Sequence, residues 1–315
     1  KTTLKKERAP RGGTLQYTFL HPLSLRPTYV PGVLLDTVLR QRKVLRKYHR
    51  TRAKDPDCQG DEKAVMDAWE ASDFDPVPLS AAEYFALMAA VGGYSLKGWE
   101  EDEIYIEKRE LYNLAAVRRD DRGKLFSCDR TRLMDGLISL ATTNRPILTE
   151  RYDLESGKTV TFIAFKPLLE VKTAEGEIPD LKCEEAGWVP DQKQIVSAPE
   201  IWLRLHPMLQ VGIGTDQPGV VSMGDSEISD PKGSYYVRLP MNPSAAIWQY
   251  QRETDDAGRL NEQQYRILLL LAKQRNRNYE IGRQRLIEQL CLERIKQSRG
   301  SAHTTKLIDD DLIPL

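Results

Sequence analysis

Between Leu79 and Phe165 the spacing of apolar residues predicts helix, strand, helix, helix and then two alternating strands. Leu79-Ser80-Ala81-Ala82-Glu83 opens the stretch as a capping box, Ser80 capping forward and Glu83 reaching back to the cap amide. Tyr84, Leu87, Met88 and Val91 continue it as an amphipathic helix that Gly92-Gly93 is expected to end. Ile104-Tyr105-Ile106 reads as a short strand, and Lys108 to Val117 as a second helix with Leu111, Leu114 and Ala115 facing the core. A polar loop from Arg118 to Lys124 leads to a third helix. There Leu133, Leu137, Leu140 and Ala141 share one face, Thr131, Arg132, Asp135 and Ser139 the other, and Ser127 is the expected N-cap. Two strands follow around Leu154-Glu155-Ser156-Gly157-Lys158, whose glycine suits the positive φ of a hairpin turn.

Elsewhere the pattern is less regular. Residues 1 to 13 are Lys-rich and end in Ala9-Pro10-Arg11-Gly12-Gly13, which reads as a flexible arm; Thr14 to Leu20 alternates like a short strand. His21 to Gly32, with Pro22, Pro27, Pro31 and Gly32, is expected to be extended or looped. Val33 to Arg50 is a predicted helix with Leu34, Leu35, Val38, Leu45 and Tyr48 on one face and Arg40, Arg42, Lys43, Arg46 and Lys47 on the other. Asp55 to Pro78 is acidic, with a short helix predicted around Ala64 to Ala71. From Glu170 to Gly258 the chain is rich in Pro and Gly, and Ile195-Val196, Ile201 to Leu205, Leu209 to Ile213 and Tyr235 to Leu239 read as short strands.

Self-comparison reveals a partial repeat. Leu79 to Met88 aligns with Leu260 to Leu269 at an offset of 181 residues, with cap, box partner, Tyr and Leu coinciding and Asn261 and Gln264 replacing Ser80 and Glu83. Ile106-Glu107-Lys108-Arg109-Glu110-Leu111 aligns with Ile281 to Leu286 at an offset of 175. Ser127 aligns with Ser301, and Arg132 to Asp135 with Lys306 to Asp309, at an offset of 174. Each change of offset falls in a loop, where length varies freely. The last third therefore repeats the order helix, strand, helix, helix. Pro314-Leu315 stands where the first copy begins its hairpin at Pro146-Ile147-Leu148, so the second hairpin is expected to be missing.

Composition adds a charge asymmetry. The 315 residues have room for two domains, and the net charge is zero. Yet residues 1 to 54 hold fourteen Lys and Arg against only Glu7 and Asp36, a local excess of +12 that points to a polyanionic partner. No run approaches the ~18 apolar residues of a membrane span, no signal-peptide pattern is present, and a cytoplasmic location is expected. The chain opens on Lys1, so a missing start is also expected. Cys58, Cys128, Cys183 and Cys291 lie far apart, as reduced thiols do.

Candidate chemistry is sparse. There is no Gly-x-x-x-x-Gly-Lys-Ser/Thr phosphate loop, and Gly212 to Gly219 has the wrong spacing for a dinucleotide turn and carries Pro218. His21, His49, His206 and His303 are isolated, and Glu100-Glu101-Asp102-Glu103 reads as a solvated loop. Pro179-Asp180 has Glu170-Val171-Lys172 before it, the reverse of the nuclease order. No catalysis, cofactor or metal is expected.

Helix pair, third helix and hairpin is the order of a winged helix, whose third helix enters the major groove while the hairpin follows the backbone. The expected fold class is therefore α+β, with two winged-helix domains in tandem. The expected divisions are a basic arm and amphipathic helix (1–54), an acidic linker (55–78) and a first winged helix (79–169). A β-rich connecting segment (170–258) and a second winged helix without its wing (259–315) complete the chain. Candidate contacts in the first domain are Arg130, Thr131, Arg132 and Ser139 on the third helix, suited to base edges or phosphate. Arg118, Arg119, Arg122 and Lys124 in the loop, and Arg151 and Lys158 on the hairpin, would hold phosphates. Arg130 maps toward the core and contributes only if the first turn projects free of the body, and the carboxylate of Asp135 opposes phosphate. In the second domain Arg294, Lys296, Arg299, Thr304, Thr305 and Lys306 are equivalent by position, ahead of Asp309-Asp310-Asp311. Arg42, Arg46 and Lys47 of the basic helix join the set.

Two such domains, each opened by a Leu-Ser/Asn-x-x-Glu/Gln-Tyr helix, with Tyr235 to Pro240 between them, resemble the replication initiators of theta-replicating plasmids. The resemblance covers Leu79 to Lys166 and Leu260 to Leu315. It implies sequence-specific binding of double-stranded DNA at repeated origin sites, host replication proteins as further partners, homodimers that repress their own gene, and a bacterial cytoplasmic location with the nucleoid or plasmid. The long basic arm, the long central segment and the neutral charge depart from that pattern. A transcriptional regulator of the same fold and a winged-helix protein–protein adaptor are the alternatives.

Overall fold

The computed structural model describes residues 7–8, 14–15, 20–99, 101–120, 122–153, 158–173, 195–196, 198–210, 221–223, 226–228, 236–253, 260–273 and 281–312. They form a mixed α+β protein with small antiparallel sheets. The flexible arm expected over residues 1–13 lies outside the described residues apart from a two-residue strand, β1 (Glu7–Arg8), paired with β2 (Thr14–Leu15). The looped region predicted from His21 contains a 3-10 turn at Pro22–Leu25 and a strand, β3 (Thr28–Pro31).

The single helix predicted from Val33 to Arg50 is two, α1 (Gly32–Leu39) and α2 (Gln41–Arg52), broken where Arg40 takes φ −109° and ψ 37°. The break separates two environments. Leu34, Leu35, Val38 and Leu39 of α1 are buried in the main core, whereas α2 buries only Val44, Leu45 and Tyr48. The acidic stretch carries α3 (Gly60–Ala71). Met66 and Trp69 of α3 pack with Tyr48 in a small second core.

The centre of the molecule is α4 (Ala81–Leu96). Its capping box is complete: the Glu83 N–H donates to Ser80 Oγ at 3.2 Å and the Ser80 N–H to Glu83 Oε2 at 2.7 Å. Every residue from Glu83 to Tyr94 is buried. The helix does not end at Gly92-Gly93, as the glycines suggested, but runs through them. A Cβ at Gly93 would meet Ile104 Cδ1 at 2.7 Å, so glycine here admits the neighbouring strand β4 (Ile104–Glu107), and tertiary packing overrides the weak helix propensity.

After β4 come α5 (Lys108–Leu114), α6 (Ser127–Thr142) and the long hairpin β5 (Arg145–Asp153) and β6 (Lys158–Lys166). The N-cap of α6 is Phe126, not Ser127, and it makes no side-chain cap bond. The first turn is held instead by Asp129, 1% exposed, whose carboxylate accepts from the Arg118 amide and guanidinium. α6 crosses α4 at Gly136, where a Cβ would come within 2.0 Å of the Ala82 carbonyl oxygen. The hairpin does not stand free: Ile163 and Phe165 of β6 pack into the small core with Tyr48 and Trp69.

Then follow β7 (Leu169–Thr173), β8 (Glu200–Leu205), a one-turn helix α7 (Pro207–Gln210), the pair β9 (Val221–Met223) and β10 (Ser226–Ile228), and β11 (Tyr236–Leu239). β4, β8 and β7 form one antiparallel sheet, and β11 pairs with β3, so the connecting segment closes onto the first copy and the N-terminal region. Two expected strands differ. Ile195 is buried within a short helical stretch, and Leu209 belongs to α7, where the Met208 N–H meets His206 Nδ1. The remainder of that second strand lies outside the described residues.

The chain ends with α8 (Pro243–Glu253), α9 (Glu262–Ala272), α10 (Arg283–Gln289) and α11 (Glu293–Lys306), extended by π-helical turns at Leu307–Leu312. The repeat is visible in local geometry. Asn261 and Gln264 form a second capping box. α5 and α10 end alike, on left-handed residues at Ala116 (φ 59°) and Cys291 (φ 54°). The closing bonds are alike too, Val117 N–H to Tyr112 O at 3.0 Å and Leu292 N–H to Ile287 O at 2.9 Å. Gly300, at φ 84°, kinks α11 immediately before Ser301, the partner of Ser127. The equivalent residues Tyr84 and Tyr265, both fully buried, stack with centroids 5.3 Å apart and planes 10° from parallel. Beside them Arg266, 0% exposed, donates to Val38 O, Leu39 O and Gln289 O and to the Tyr84 hydroxyl. Among the described residues no helix is long and apolar enough to cross a membrane.

Candidate functional site

The cations predicted to act together divide into those that hold the fold and those that face outward. Arg118 belongs to the first group. Its Nε and Nη2 donate to the Asp129 carboxylate at 2.8 and 2.9 Å, and its guanidinium lies 4.1 Å from the Trp248 ring centroid. The side chain is 12% exposed, so it positions the α5–α6 turn rather than meeting a ligand. Arg119 is half committed, donating to Asn113 Oδ1 and, at 3.2 Å, to Gly123 O. The turn itself is built by Asp120, whose Oδ1 accepts from the Arg122 and Lys124 amides at 2.9 and 2.8 Å. That geometry leaves the Arg122 and Lys124 side chains exposed.

On α6 the prediction is partly redrawn. Arg130 and Thr131 are exposed, although Asp129 beside them is buried. Arg132 is half-buried, with Nη1 enclosed and without a hydrogen-bond partner. It lies near Tyr265, whose phenol burial pushes up while the Arg132 charge acts the other way. Ser139 is removed from the candidate set, since its hydroxyl donates to Glu83 Oε1 at 2.8 Å. Arg145 donates to the same oxygen. Burial opposes ionisation of Glu83, but the Arg145 charge, the Ser80 amide and the Ser139 hydroxyl outweigh it and hold the carboxyl below its usual range. Asp135 is exposed. On the hairpin Lys158 is exposed, and the Arg151 side chain lies outside the described residues, as does that of Arg294.

In the second copy Arg299 and Lys306 are exposed, and Lys296 donates to Gln284 Oε1 at 3.3 Å. Thr304 is corrected: it is 1% exposed, and its hydroxyl donates back to Gly300 O at 3.1 Å, closing the turn after the kink. Thr305 accepts from Arg283 Nη1 at 3.0 Å, and Arg283 also pairs with Asp309 at 3.1 Å, which offsets part of that carboxylate's charge.

The basic face of α2 is less free than its sequence suggests. Arg42 pairs with Glu293 at 3.9 Å, Arg46 with Asp73 at 3.2 Å, and Lys47 with Glu150 of the hairpin. Beside it, however, Lys43 and Arg50 are exposed, and both line a cleft of about 730 Å³ that also receives Arg285 from α10. Arg285 was not among the candidates. The aligned pair of second helices, with Lys108 and Arg109 opposite Arg283 and Gln284, could have drawn attention to that helix. Its apposition to α2, more than 230 residues away in the chain, could not have been read from spacing.

No group of three or more His, Cys, Asp or Glu side chains is placed to hold a metal ion among the described residues. Taken together, the site is a set of exposed cations on the α5–α6 turn, the first turn of α6, the matching part of α11, and the α2–α10 cleft. Such a set can bind phosphate oxygens or other anions; its Arg side chains can also address planar acceptors. Comparison with family models, with curated proteins and with solved structures finds no match.

Proposed function

We propose that this protein binds double-stranded DNA sequence-specifically through two winged-helix units in tandem, and acts as an initiator of plasmid replication. The observation that carries the reading is the repeated unit whose exposed edge is basic in both copies. Arg122, Lys124 and Arg130 line that edge in the first copy, and Arg299 and Lys306 line it in the second. Thr131 and Arg130, exposed in the first turns of α6, are the base-reading candidates. Lys124 and Arg122 serve phosphates. The reading assigns no catalytic step to the chain; host replication proteins and a homodimer are the partners that go with it.

The test is recovery of duplexes from a random-sequence pool, followed by binding titrations across salt concentrations. Log affinity is expected to fall steeply with log salt, by roughly 0.9 per phosphate contact. Lys124→Ala should weaken all sequences alike and reduce the salt slope by about 1, whereas Arg130→Ala should cost about 1–3 kcal/mol of discrimination. Absence of duplex binding at low salt would overturn the reading.

A further inference from the structure

The cleft between α2 and α10 joins residues from opposite ends of the chain and is lined mainly by cations. Four of these already have carboxylate partners that hold the walls in place: Arg40 with Asp36 at 3.4 Å, and Arg42, Arg46 and Lys47 as described above. Lys43, Arg50 and Arg285 are exposed and face the same space. Glu288 is the one acidic side chain in the lining. Lys43 and Arg50 are seven residues apart on one helix, about 10.5 Å along its axis. That span equals about three base-pair steps of rise along a duplex axis at 3.4 Å each. Outside the cleft, Lys296 of α11 donates to Gln284 of the same α10 at 3.3 Å.

We propose that this cleft grips a sugar–phosphate strand of duplex DNA, as a stretch of the footprint separate from the base-reading turns. The inference rests on the duplex-binding reading above. It is favoured over an acidic peptide because Leu39 and Cys291 are the only apolar residues in the lining, and a docked peptide helix needs a row of apolar side chains to meet its own. A backbone strand needs none. Burial lowers the Lys47 pKa, and the charge of Lys43 lowers it further.

The experiment uses the full chain with the triple substitution Lys43→Ala, Arg50→Ala and Arg285→Ala, beside a charge-conserving triple of Lys43→Arg, Arg50→Lys and Arg285→Lys. Duplexes recovered from the random pool are titrated at several salt concentrations and mapped by hydroxyl-radical footprinting. The alanine triple should make the salt slope shallower by about 2–3 and lose protection over one short backbone stretch, with the ranking of sequences unchanged. The charge-conserving triple should keep the wild-type slope. A wild-type slope and footprint in the alanine triple overturns the inference and leaves duplex binding standing. If that same triple also loses binding to a polyglutamate probe, the cleft belongs to an acidic protein partner. Loss of the slope in the charge-conserving triple would trace the effect to folding and also overturn it. A wild-type protein that binds no duplex removes both proposals together.

Discussion

Two glycines show how differently one atom can act. At Gly136 an added Cβ would press on the Ala82 carbonyl oxygen, which belongs to a fully packed helix backbone. Gly136→Ala is therefore expected to destabilise by about 1–3 kcal/mol, read as a lowered urea midpoint. At Gly93 the obstacle is the terminal methyl of Ile104, which can rotate, and alanine is the better helix former by about 1 kcal/mol. Gly93→Ala should stay within about 1 kcal/mol of wild type; equal losses at the two sites would contradict this account. His206 makes a second residue-scale case. Its Nδ1 accepts from the Met208 amide at 3.3 Å, and burial, then the charges of Lys166 and Arg204, pull its pKa from 6.5 down to about 4. The unfolded imidazole takes its proton first as pH falls. The stability it contributes is thus complete above about pH 6.5 and lost as pH falls toward 4. His206→Asn keeps an acceptor at the cap without a titrating group, so its melting temperature should depend less on pH across that window. An unchanged slope would reject the assignment.

At the scale of elements, what spacing and capping encode was legible, and what distant packing decides was not. The capping boxes at Ser80 and Asn261 and the leucine face of α6 depend on neighbours within a few residues, and each is where the pattern placed it. The end of α4 was misread because Gly92 and Gly93 answer to β4 and Asn242, not to their own helix. Arg118 looked like a phosphate ligand for the same reason: Asp129, eleven residues on, turns it inward. Ser139 and Thr304 were expected on open faces, yet each hydroxyl has a partner that only the assembled fold supplies. Of the candidate cations, Arg46, Arg122, Lys124, Arg130, Lys158, Arg299 and Lys306 are exposed, Arg46 while paired with Asp73. Arg285 required knowing which helix lies against α2.

At the scale of the whole molecule, Arg266 is the tie between the N-terminal helices and the second copy. Its guanidinium serves the carbonyls that end α1, the first of them shared with the Tyr84 hydroxyl, and the last carbonyl of α10. Arg266→Met should lower the unfolding free energy by about 3 kcal/mol, since each orphaned buried acceptor costs about 1–3 kcal/mol. A denaturation midpoint equal to wild type would deny the residue that role.

The stacked pair of Tyr84 and Tyr265 has a further meaning. A residue that meets its own counterpart face to face marks an isologous contact, the kind two identical subunits make across a two-fold axis. Here both partners are written in one polypeptide, so the two sides mutate separately. One position beyond the stack, the first copy has Phe85 and the second has Arg266, both buried. In a homodimer any buried arginine next to the axis would come with a twin, two like charges facing each other in a dry core. Within one chain that constraint is absent, and a single guanidinium sits on one side only, where it fastens the N-terminal helices.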